Sequence, residues 1–326
     1  MELGCLFSAA IATPEHCAWA EQLGYHTAWV TDSPTIMADP WITLARAAER
    51  TTQIRLGPCA LTPRLRHLVA TAGAAATLDA IAPGRVDLVV GSGFTSQAMI
   101  GKRPARWAEV EAYVSGLRGL LSGEEIEWDG EILALPYPAL SGISLPADVA
   151  IWVAAHGPKG YDVGRRVADG IVTNPGHGVG NEVWSATRVF VQVNGTVLDA
   201  GEPLDSERVL QAAGPAAALH LHIGEEGAFA GSAEVGGFQA ALAATDPRRR
   251  HIETHRGHLT EITALERPFV SPALIETCTE TGPPERMRAA LDRLAADGVA
   301  GVLYFPAGPD IPRELEAFAR AADGLG

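Results

Sequence analysis

The sequence lacks the features that mark several large classes of protein. Cysteine is scarce, because only Cys5, Cys17, Cys59 and Cys278 occur among 326 residues and none belongs to a C-x-x-C pair. A chain of this length buries a large core without disulfides, so we expect reduced thiols. No run of about 18 apolar residues occurs, and the N-terminus carries Glu2 but no basic segment. The sequence therefore predicts neither a membrane span nor a secretion signal, and the expected location is the cytoplasm.

Positive charge is also in short supply. Lysine and arginine together number 25 against 39 aspartate and glutamate residues, which gives a formal net charge of −14. Binding to nucleic acid or to an anionic membrane surface needs a broad basic surface that offsets phosphate charge. The composition therefore favours a small-molecule substrate and argues against nucleic-acid and membrane partners.

The chain alternates short β-branched apolar runs with longer alanine-rich helical patterns, which is typical of βα units in a parallel sheet. The predicted strands are Glu2–Phe7, Thr27–Val30, Ile54–Ala60, Val86–Val90, Ala150–Ala154, Gly170–Thr173 and Val299–Phe305. The predicted helices are Thr13–Leu23, Pro40–Thr51, Leu68–Ala80, Pro104–Leu121, Lys159–Ala168, Pro284–Asp297 and Pro312–Ala322. Roughly eight such units predict an α/β fold of the TIM (β/α)8 barrel type, in a single domain over residues 1–326.

Two segments depart from this alternation. Residues 123–138 alternate apolar and polar positions around Asp129-Gly130, which predicts a β-hairpin insertion. Glycine and alanine blur every period over residues 176–237, and we predict an irregular insertion there. The rival fold, a doubly wound open sheet, places G-x-G-x-x-G after its first strand, whereas Ser8–Ala12 contain no glycine.

In a parallel barrel, the residues that follow the strands gather at one mouth, where active sites lie. Asp32 follows the second strand, and it is either an acceptor for a ligand or an ordinary turn or cap residue. Gly157-Pro158-Lys159 follows the fifth strand and opens a helix. This step either makes an anion site from free amides and the helix dipole or simply starts the helix.

A basic segment near the C-terminal third carries His251, His255 and His258. The first two lie one helical turn apart, a spacing that can chelate a metal. We do not favour a metal, because Glu253 stands one residue late for H-E-x-x-H and Gly257 ends the helix. We expect a solvated basic turn, with His255 or His258 reaching the pocket as a proton donor as the second possibility.

Several blocks in order along the chain resemble the luciferase-like monooxygenase superfamily. They are residues 20–32 (AEQLGYHTAWVTD), 44–57 (LARAAERTTQIRLG), 76–79 (ATLD) with 84–86 (GRV) and 91–93 (GSG), 152–159 (WVAAHGPK) with 168–170 (ADG), and 281–306, which is similar to the last barrel unit. The sequence is most similar to the branch that depends on coenzyme F-420, the methylenetetrahydromethanopterin reductase-like enzymes.

The resemblance implies a TIM barrel that binds a flavin or deazaflavin at the carboxyl ends of its strands. Cys59-Ala60 stands where relatives carry a non-prolyl cis peptide behind the central ring of the cofactor. The resemblance also implies that the strand-four loop lines the ring pocket and that Gly157-Pro158-Lys159 holds the cofactor phosphate. The implied cofactor-binding residues are Asp32, Cys59, Ala60, Ser92, Phe94, Gln97, Ala155, His156, Gly157, Pro158 and Lys159.

Ser33 is a departure from the pattern, because some deazaflavin-dependent relatives place a catalytic histidine directly after the pocket acid. A serine does not exchange a proton readily near pH 7. Either a histidine such as His156, His255 or His258 does so, or the reaction needs only hydride transfer with protonation from solvent. The candidate catalytic residues are Asp32, Ser33, His156 and His258, with no metal.

The expected function is that of an oxidoreductase which transfers a hydride between coenzyme F-420 and an unidentified small organic substrate. One alternative is an FMN-dependent monooxygenase supplied by a separate flavin or deazaflavin reductase; FMN lacks the long acidic tail of F-420. Another is a non-catalytic flavin-binding barrel, which Ser33 motivates. A homodimer is expected by resemblance, and the apolar helices Leu44–Thr51 and Leu68–Leu78 could form its face, although core packing explains them equally well.

Overall fold

Eight parallel strands close into a barrel in the computed structural model, which describes residues 1–174, 187–224 and 229–324. These strands are β1 (Glu2–Phe7), β2 (Thr27–Val30), β3 (Arg55–Leu61), β4 (Val86–Gly91), β7 (Val149–Ala154), β8 (Gly170–Thr173), β9 (Val189–Asn194) and β10 (Gly301–Phe305). Each pairs with the next in that order, and β10 pairs with β1 to close the sheet. The prediction of a TIM barrel is confirmed.

Helices alternate with these strands along the chain. Those of the βα units are α1 (Thr13–Gln22), α2 (Pro40–Ala48), α3 (Leu68–Ile81), α5 (Trp107–Ser122), α6 (Pro158–Val167), α7 (Glu207–Ile223), α11 (Pro284–Ala296) and α12 (Ile311–Ala322). Shorter ones are α4 (Phe94–Ala98), α8 (Ala233–Ala243), α9 (Arg250–His255) and α10 (Pro272–Cys278), with single 3-10 turns at Ala139–Ser141 and Arg267–Phe269. No helix of the described ranges is long and apolar enough to cross a membrane.

The hairpin predicted within residues 123–138 is present. Strands β5 (Ile126–Trp128) and β6 (Glu131–Leu133) pair antiparallel. The two residues between them have positive φ angles, 52° at Asp129 and 85° at Gly130. A two-residue turn with positive φ at both positions matches the twist of the flanking strands, which is why Asp-Gly predicted it.

The prediction of an irregular insertion over residues 176–237 is wrong for the described part of that segment, although residues 175–186 and 225–228 lie outside the description. Residues 187–224 contain β9 and the 17-residue helix α7. Gly214 and Pro215 are usually helix breakers, yet both are buried inside α7. A Cβ at Gly214 would lie 2.2 Å from Cδ1 of Ile262, so this glycine permits close packing rather than ending the helix.

The interior of the barrel is filled by aromatic side chains. Trp29 packs against Trp152 and Phe190 at centroid distances of 5.3 and 5.7 Å. The Trp29 indole donates to the buried Asp87 carboxylate at 3.0 Å, and Arg55 pairs with the same carboxylate at 2.7 Å. Burial raises the pKa of Asp87, and Arg55 opposes this by stabilising the charged form. Because Arg55 and Asp87 stand at the amino ends of β3 and β4, this layer fills that end of the barrel and leaves the carboxyl end for a cavity.

The apolar residues of α2 and α3 pack inside the protomer. Leu44 and Ala47 of α2 are fully buried in one core cluster, and Ala72 and Ala75 of α3 are fully buried in another. Core packing therefore accounts for these two helices, and the homodimer stays a prediction. All four cysteines are unpaired, as expected.

We expect Gly57→Ala to lower the free energy of unfolding by about 3 kcal/mol. Its Cβ would lie 1.9 Å from the backbone carbonyl oxygen of Asp87, which the strand pairing holds in place. Gly73→Ala is the control, because its Cβ on α3 meets only the Tyr137 hydroxyl at 3.4 Å. That variant should gain about 0.5–1 kcal/mol from helix propensity. Urea denaturation measures both, and equal effects of the two substitutions would contradict the close approach of β3 and β4.

Candidate active site

A cavity of about 520 Å³ lies at the carboxyl ends of the strands. Every strand of the barrel, or the residue just after it, contributes to its wall. From β1 to β10 these contributors are Leu6, Thr31, Cys59, Ala60, Gly91, Ala154, Val172, Gln192 and Phe305. The volume is in the range of about 300–1,000 Å³ typical of sites for small molecules and cofactors.

Most of the residues singled out in the sequence lie in this wall. They are Asp32, Ser33, Cys59, Ala60, Ser92, Phe94, Ala155, His156, Gly157 and His258. Pro158 and Lys159 do not line the cavity, and neither does Gln97. The Gln97 side chain is buried, and its amide nitrogen and oxygen have no hydrogen-bond partner within the described ranges. Thr95 and Ser96 of the same short helix face the cavity instead.

Strand β3 bends where it forms part of the wall. The peptide bond between Cys59 and Ala60 is cis, which confirms the expectation from the resemblance. The pairing of β3 with β4 shifts register between Cys59 and Leu61. Gly91 on β4 accommodates the bend, because a Cβ there would lie 3.3 Å from that of Ala60. Burial raises the pKa of the Cys59 thiol to about 12, so it is neither a thiolate nor a nucleophile near pH 7.

Asp32 is a buried carboxylate in the wall, 2% exposed. Arg66, from the loop between β3 and α3, reaches it at 3.2 Å and also reaches Asp39 at 2.9 Å. Burial raises the pKa of Asp32, and the Arg66 guanidinium works in the opposite direction. The cap of α2 is Asp39, which accepts hydrogen bonds from the backbone N–H groups of Trp41 and Ile42. Asp32 therefore does not cap α2, and it faces the cavity.

The amino end of α6 meets the cavity at Gly157, which has an extended backbone with φ −171°. Gly160 allows this close approach, since a Cβ there would lie 2.5 Å from the Trp107 ring and 2.6 Å from Ala155. The first N–H groups of a helix have no partner within the helix and carry its partial positive charge. This end of α6, with the exposed side chain of Lys159 beside it, can hold an anion.

The expectation of a solvated turn is wrong for two of the three histidines. His255 and His258 are buried, 5% and 8% exposed, because α9 and the turn after it pack against α4 and α7. His258 reaches the cavity wall, with its Nε2 atom 2.9 Å from the Thr95 hydroxyl. His255 packs edge-on against Phe94 at 5.6 Å.

Both rings lie next to His222 of α7. Burial and the neighbouring His222 lower the pKa of His255 to about 4 and the pKa of His258 well below its usual value. Both imidazoles are therefore neutral near pH 7 and poor proton donors there.

Sequence reasoning missed three polar residues of this region. Arg66 pairs with Asp32 across 34 positions, and Gln192 belongs to the strand that was not predicted. His222 lies 33 and 36 positions from the histidines that it contacts. No local spacing joins such residues, so only the position of Arg66 shortly after a strand offered any signal.

A closed (β/α)8 barrel with a ligand-sized cavity at the carboxyl ends of its strands is the architecture of TIM-barrel proteins that bind small molecules. The sequence then gives the family. Residues 10–190, more than half of the chain, match the family model described as luciferase-like monooxygenase. The chain belongs to the luciferase-like monooxygenase family.

Curated relatives also match part of this chain. The chain is 30% identical over 162 residues to 5,10-methylenetetrahydromethanopterin reductase from Methanolobus tindarius, covering 48% of each chain. It is 32% identical over 176 residues to F420-dependent glucose-6-phosphate dehydrogenase from Beutenbergia cavernae, covering 49% of this chain and 51% of the relative. The chain thus spans about half the length of the curated relatives it matches.

Among solved structures, the coenzyme F420-dependent tetrahydromethanopterin reductase from Methanopyrus kandleri superposes with a TM-score of 0.69 at 17% identity, covering 98% of both chains. At that identity the likeness concerns the fold.

The Asp32→Asn variant should become more stable relative to the wild type as the pH rises. Because burial raises the pKa of Asp32 in the folded state, the folded protein binds its proton more strongly than the unfolded chain does. The contribution of Asp32 to the stability of the wild type therefore falls as the pH rises from about 4, near the pKa of the unfolded chain, to the higher pKa of the folded state. Asparagine does not titrate, so the difference in the free energy of unfolding grows, by at most about 1.4 kcal/mol per pH unit, and then levels off.

Urea denaturation between pH 4 and pH 8 measures this difference. Ser33→Ala is the matched control, because it changes the adjacent wall residue without removing a titrating group, and its difference from the wild type should stay constant with pH. A difference for Asp32→Asn that is constant or falls with pH would show that Arg66, rather than burial, controls the carboxylate.

Proposed function

We propose that the protein is an oxidoreductase that transfers a hydride between coenzyme F-420 and a small organic substrate held in the cavity. The observation that carries this proposal is the similarity of about half of the chain, at 30–32% identity, to relatives named as a methylenetetrahydromethanopterin reductase and an F420-dependent dehydrogenase. The family match over residues 10–190 contains most of the cavity wall, including Asp32, Cys59, Ser92 and His156.

The residues present fit a planar ring joined to a phosphate and an acidic tail. Small side chains at Ala60, Gly91 and Ser92 leave room for a flat ring against the bend in β3. The amino end of α6, with Gly157 in the wall, supplies backbone N–H groups for a phosphate. A Cβ at Gly157 would meet no atom within 4 Å, so this position opens onto free space in which an anion can approach the backbone.

In the proposed reaction the bound coenzyme supplies the hydride chemistry, and the protein orients the reactants and excludes water. Phe94 is 54% exposed at the cavity and would cover the ring or the substrate when they are bound. Asp32 accepts a hydrogen bond from the ring or the substrate while Arg66 holds its carboxylate in place.

The proton that accompanies the hydride needs a separate source. Ser33 does not supply it, because a serine hydroxyl does not ionise near pH 7. The low pKa values of His255 and His258 leave both rings neutral at that pH, and a neutral imidazole is a poor acid. His156 lies in the wall and is exposed to solvent, so we assign proton exchange to His156 or to water that reaches the same edge of the cavity.

Titration of the purified protein with coenzyme F-420 and, separately, with FMN tests the proposed cofactor. Trp107 lies in the cavity wall, so a bound ring should quench its fluorescence. We expect tight binding of F-420 and weaker binding of FMN, since only F-420 offers an acidic tail beyond the phosphate. Trp107→Phe is the control that assigns the signal to the cavity. Tight binding of FMN with weak binding of F-420 would overturn the proposal in favour of a flavin-dependent monooxygenase.

Gly157→Ala should weaken the binding of F-420 about tenfold without lowering the melting temperature. The added methyl group meets nothing in the protein, and an extended backbone with φ −171° suits any residue. It would, however, occupy space that a phosphate needs at the amino end of α6. Gly236→Ala is the matched control, because a Cβ at Gly236 of α8 also meets nothing within 4 Å. Unchanged affinity for F-420 in Gly157→Ala would exclude α6 as the phosphate site.

A further inference from the structure

We propose that His222, His255 and His258 form a binding site for a divalent transition-metal ion, for which zinc is the best fit. The site lies between α7, α9 and the turn after α9, beside the cavity. It does not depend on the identity of the coenzyme, because none of the contacts that define it involves the ring or phosphate positions.

The three imidazoles are arranged around a common point. Each offers a ring nitrogen, and these three nitrogens lie within 4.8 Å of one another. The ring centroids are 5.5 Å apart for His222 and His255, 5.7 Å for His222 and His258, and 5.4 Å for His255 and His258. Three imidazoles bound to one tetrahedral zinc ion at about 2.0–2.1 Å have ring centres about 5 Å apart. Small side-chain rotations therefore suffice to bring the three nitrogens to an ion.

One ring nitrogen of each histidine in this cluster lacks a partner. The Nδ1 atoms of His222, His255 and His258 are buried, and they have no hydrogen-bond partner among the residues that the structure describes. The side chain of His222 is 1% exposed, so water does not compensate its nitrogen from the surface. Buried polar atoms without partners are rare and destabilising, and three in one place indicate a missing ligand. A metal ion at the centre would satisfy all three.

In two of the three histidines the other ring nitrogen contacts a neighbouring group, which fixes the orientation of those rings. Nε2 of His222 lies 2.6 Å from the Glu266 carboxylate, and Thr263 donates to that carboxylate from its backbone N–H and its hydroxyl, both at 2.7 Å. A carboxylate accepts here, so Nε2 of His222 carries a proton, and the Nδ1 atom is the nitrogen left for a metal ion. Histidine ligands of metals almost always donate their second nitrogen in this way. Nε2 of His258 lies 2.9 Å from the Thr95 hydroxyl, which can accept a hydrogen bond from that nitrogen or donate one to it.

Imidazole nitrogen suits zinc, copper, nickel and iron, whereas magnesium and calcium prefer oxygen ligands. Three protein ligands leave the fourth position of a tetrahedral zinc open to water or to another molecule. Because His258 belongs both to the cluster and to the cavity wall, the ion would lie at the edge of the cavity. His251, one helical turn before His255, is not part of the cluster, and His222 from a different helix stands beside His255 instead.

Titration of the untagged, chelator-treated full chain with Co²⁺ tests the site, followed by displacement with Zn²⁺. We expect one ion per chain, visible absorption bands of four-coordinate Co²⁺, and loss of those bands when Zn²⁺ is added. Zn²⁺ should also raise the melting temperature of the wild type, since it binds the folded state. Absence of these bands, or of any rise in melting temperature, would overturn the proposal.

Single substitutions distinguish this site from binding to surface histidines. His222→Gln and His255→Gln should weaken Zn²⁺ binding at least tenfold, and Glu266→Gln should weaken it about 10–100-fold by removing the carboxylate that orients His222. His251→Gln is the matched control, because this histidine lies on the same helix as His255 but outside the cluster, and its affinity should match the wild type. Equal affinity in all four variants would overturn the assignment.

Substitutions in a buried cluster sometimes prevent folding, so the wild type also needs a test of its own. X-ray absorption at the zinc edge should show three nitrogen neighbours at about 2.0–2.1 Å. A shell dominated by oxygen would contradict the site. None of these measurements uses coenzyme F-420 or turnover, so failure of the metal site and failure of the proposed function are separate outcomes.

Discussion

The close approach of β3 to β4 is the contact on which the fold and the candidate site both depend. Gly57 has no side chain, which lets the backbone of Asp87 come so near that a Cβ would overlap its carbonyl oxygen. Asp87 then extends its carboxylate into the barrel, where Trp29 and Arg55 satisfy it. Farther along the same pair of strands, β3 bends at Cys59-Ala60 against Gly91, and this bend becomes part of the cavity wall. The packing below the cavity and the shape of its wall therefore both depend on the pairing of β3 with β4.

Charge is distributed unevenly around the cavity. On one side the carboxylates of Asp32 and Asp39 share the single guanidinium of Arg66. On another side the amino end of α6 presents backbone N–H groups, with Lys159 nearby. In a chain with a net charge of −14, a local positive end of this kind is what an anionic group can bind. The proposed orientation of the coenzyme, with its phosphate at α6 and its ring toward Asp32, follows from this division.

The barrel could be predicted from sequence because each βα unit is a local pattern that repeats along the chain. The Asp129-Gly130 hairpin was predictable for the same reason, since two positive φ angles suit those residue types. Strand β9 and helix α7 were not, because Gly214 and Pro215 resemble breakers until Ile262, 48 positions later, is seen packed against Gly214. The five residues of α4 are too few for a period to show that Thr95, and not Gln97, faces the cavity.

The residues of the site also divide into those that a local sequence pattern marks and those that only distant contacts bring into place. Asp32, Ser92 and Gly157 could be found because each directly follows a predicted strand or opens a helix. Arg66 and His222 could not, because their partners are distant in the sequence and their own neighbours carry no distinguishing pattern. Tertiary packing alone brings such residues to one place.

The histidine cluster limits which residue can supply the proton in the proposed reaction, in which Ser33 follows Asp32 in place of a histidine. The resemblance implied a proton donor at the position of Ser33, and among the described residues the histidines in the cavity wall are His156 and His258. The Nε2 atom of His258 contacts Thr95, its Nδ1 atom is buried without a partner within the described residues, and its ring lies beside those of His222 and His255. A ring that is neutral at pH 7, or bound to a metal ion, is not an imidazolium and is a poor proton donor. The proton of the proposed reaction must then come from the exposed side of the wall, where His156 meets solvent.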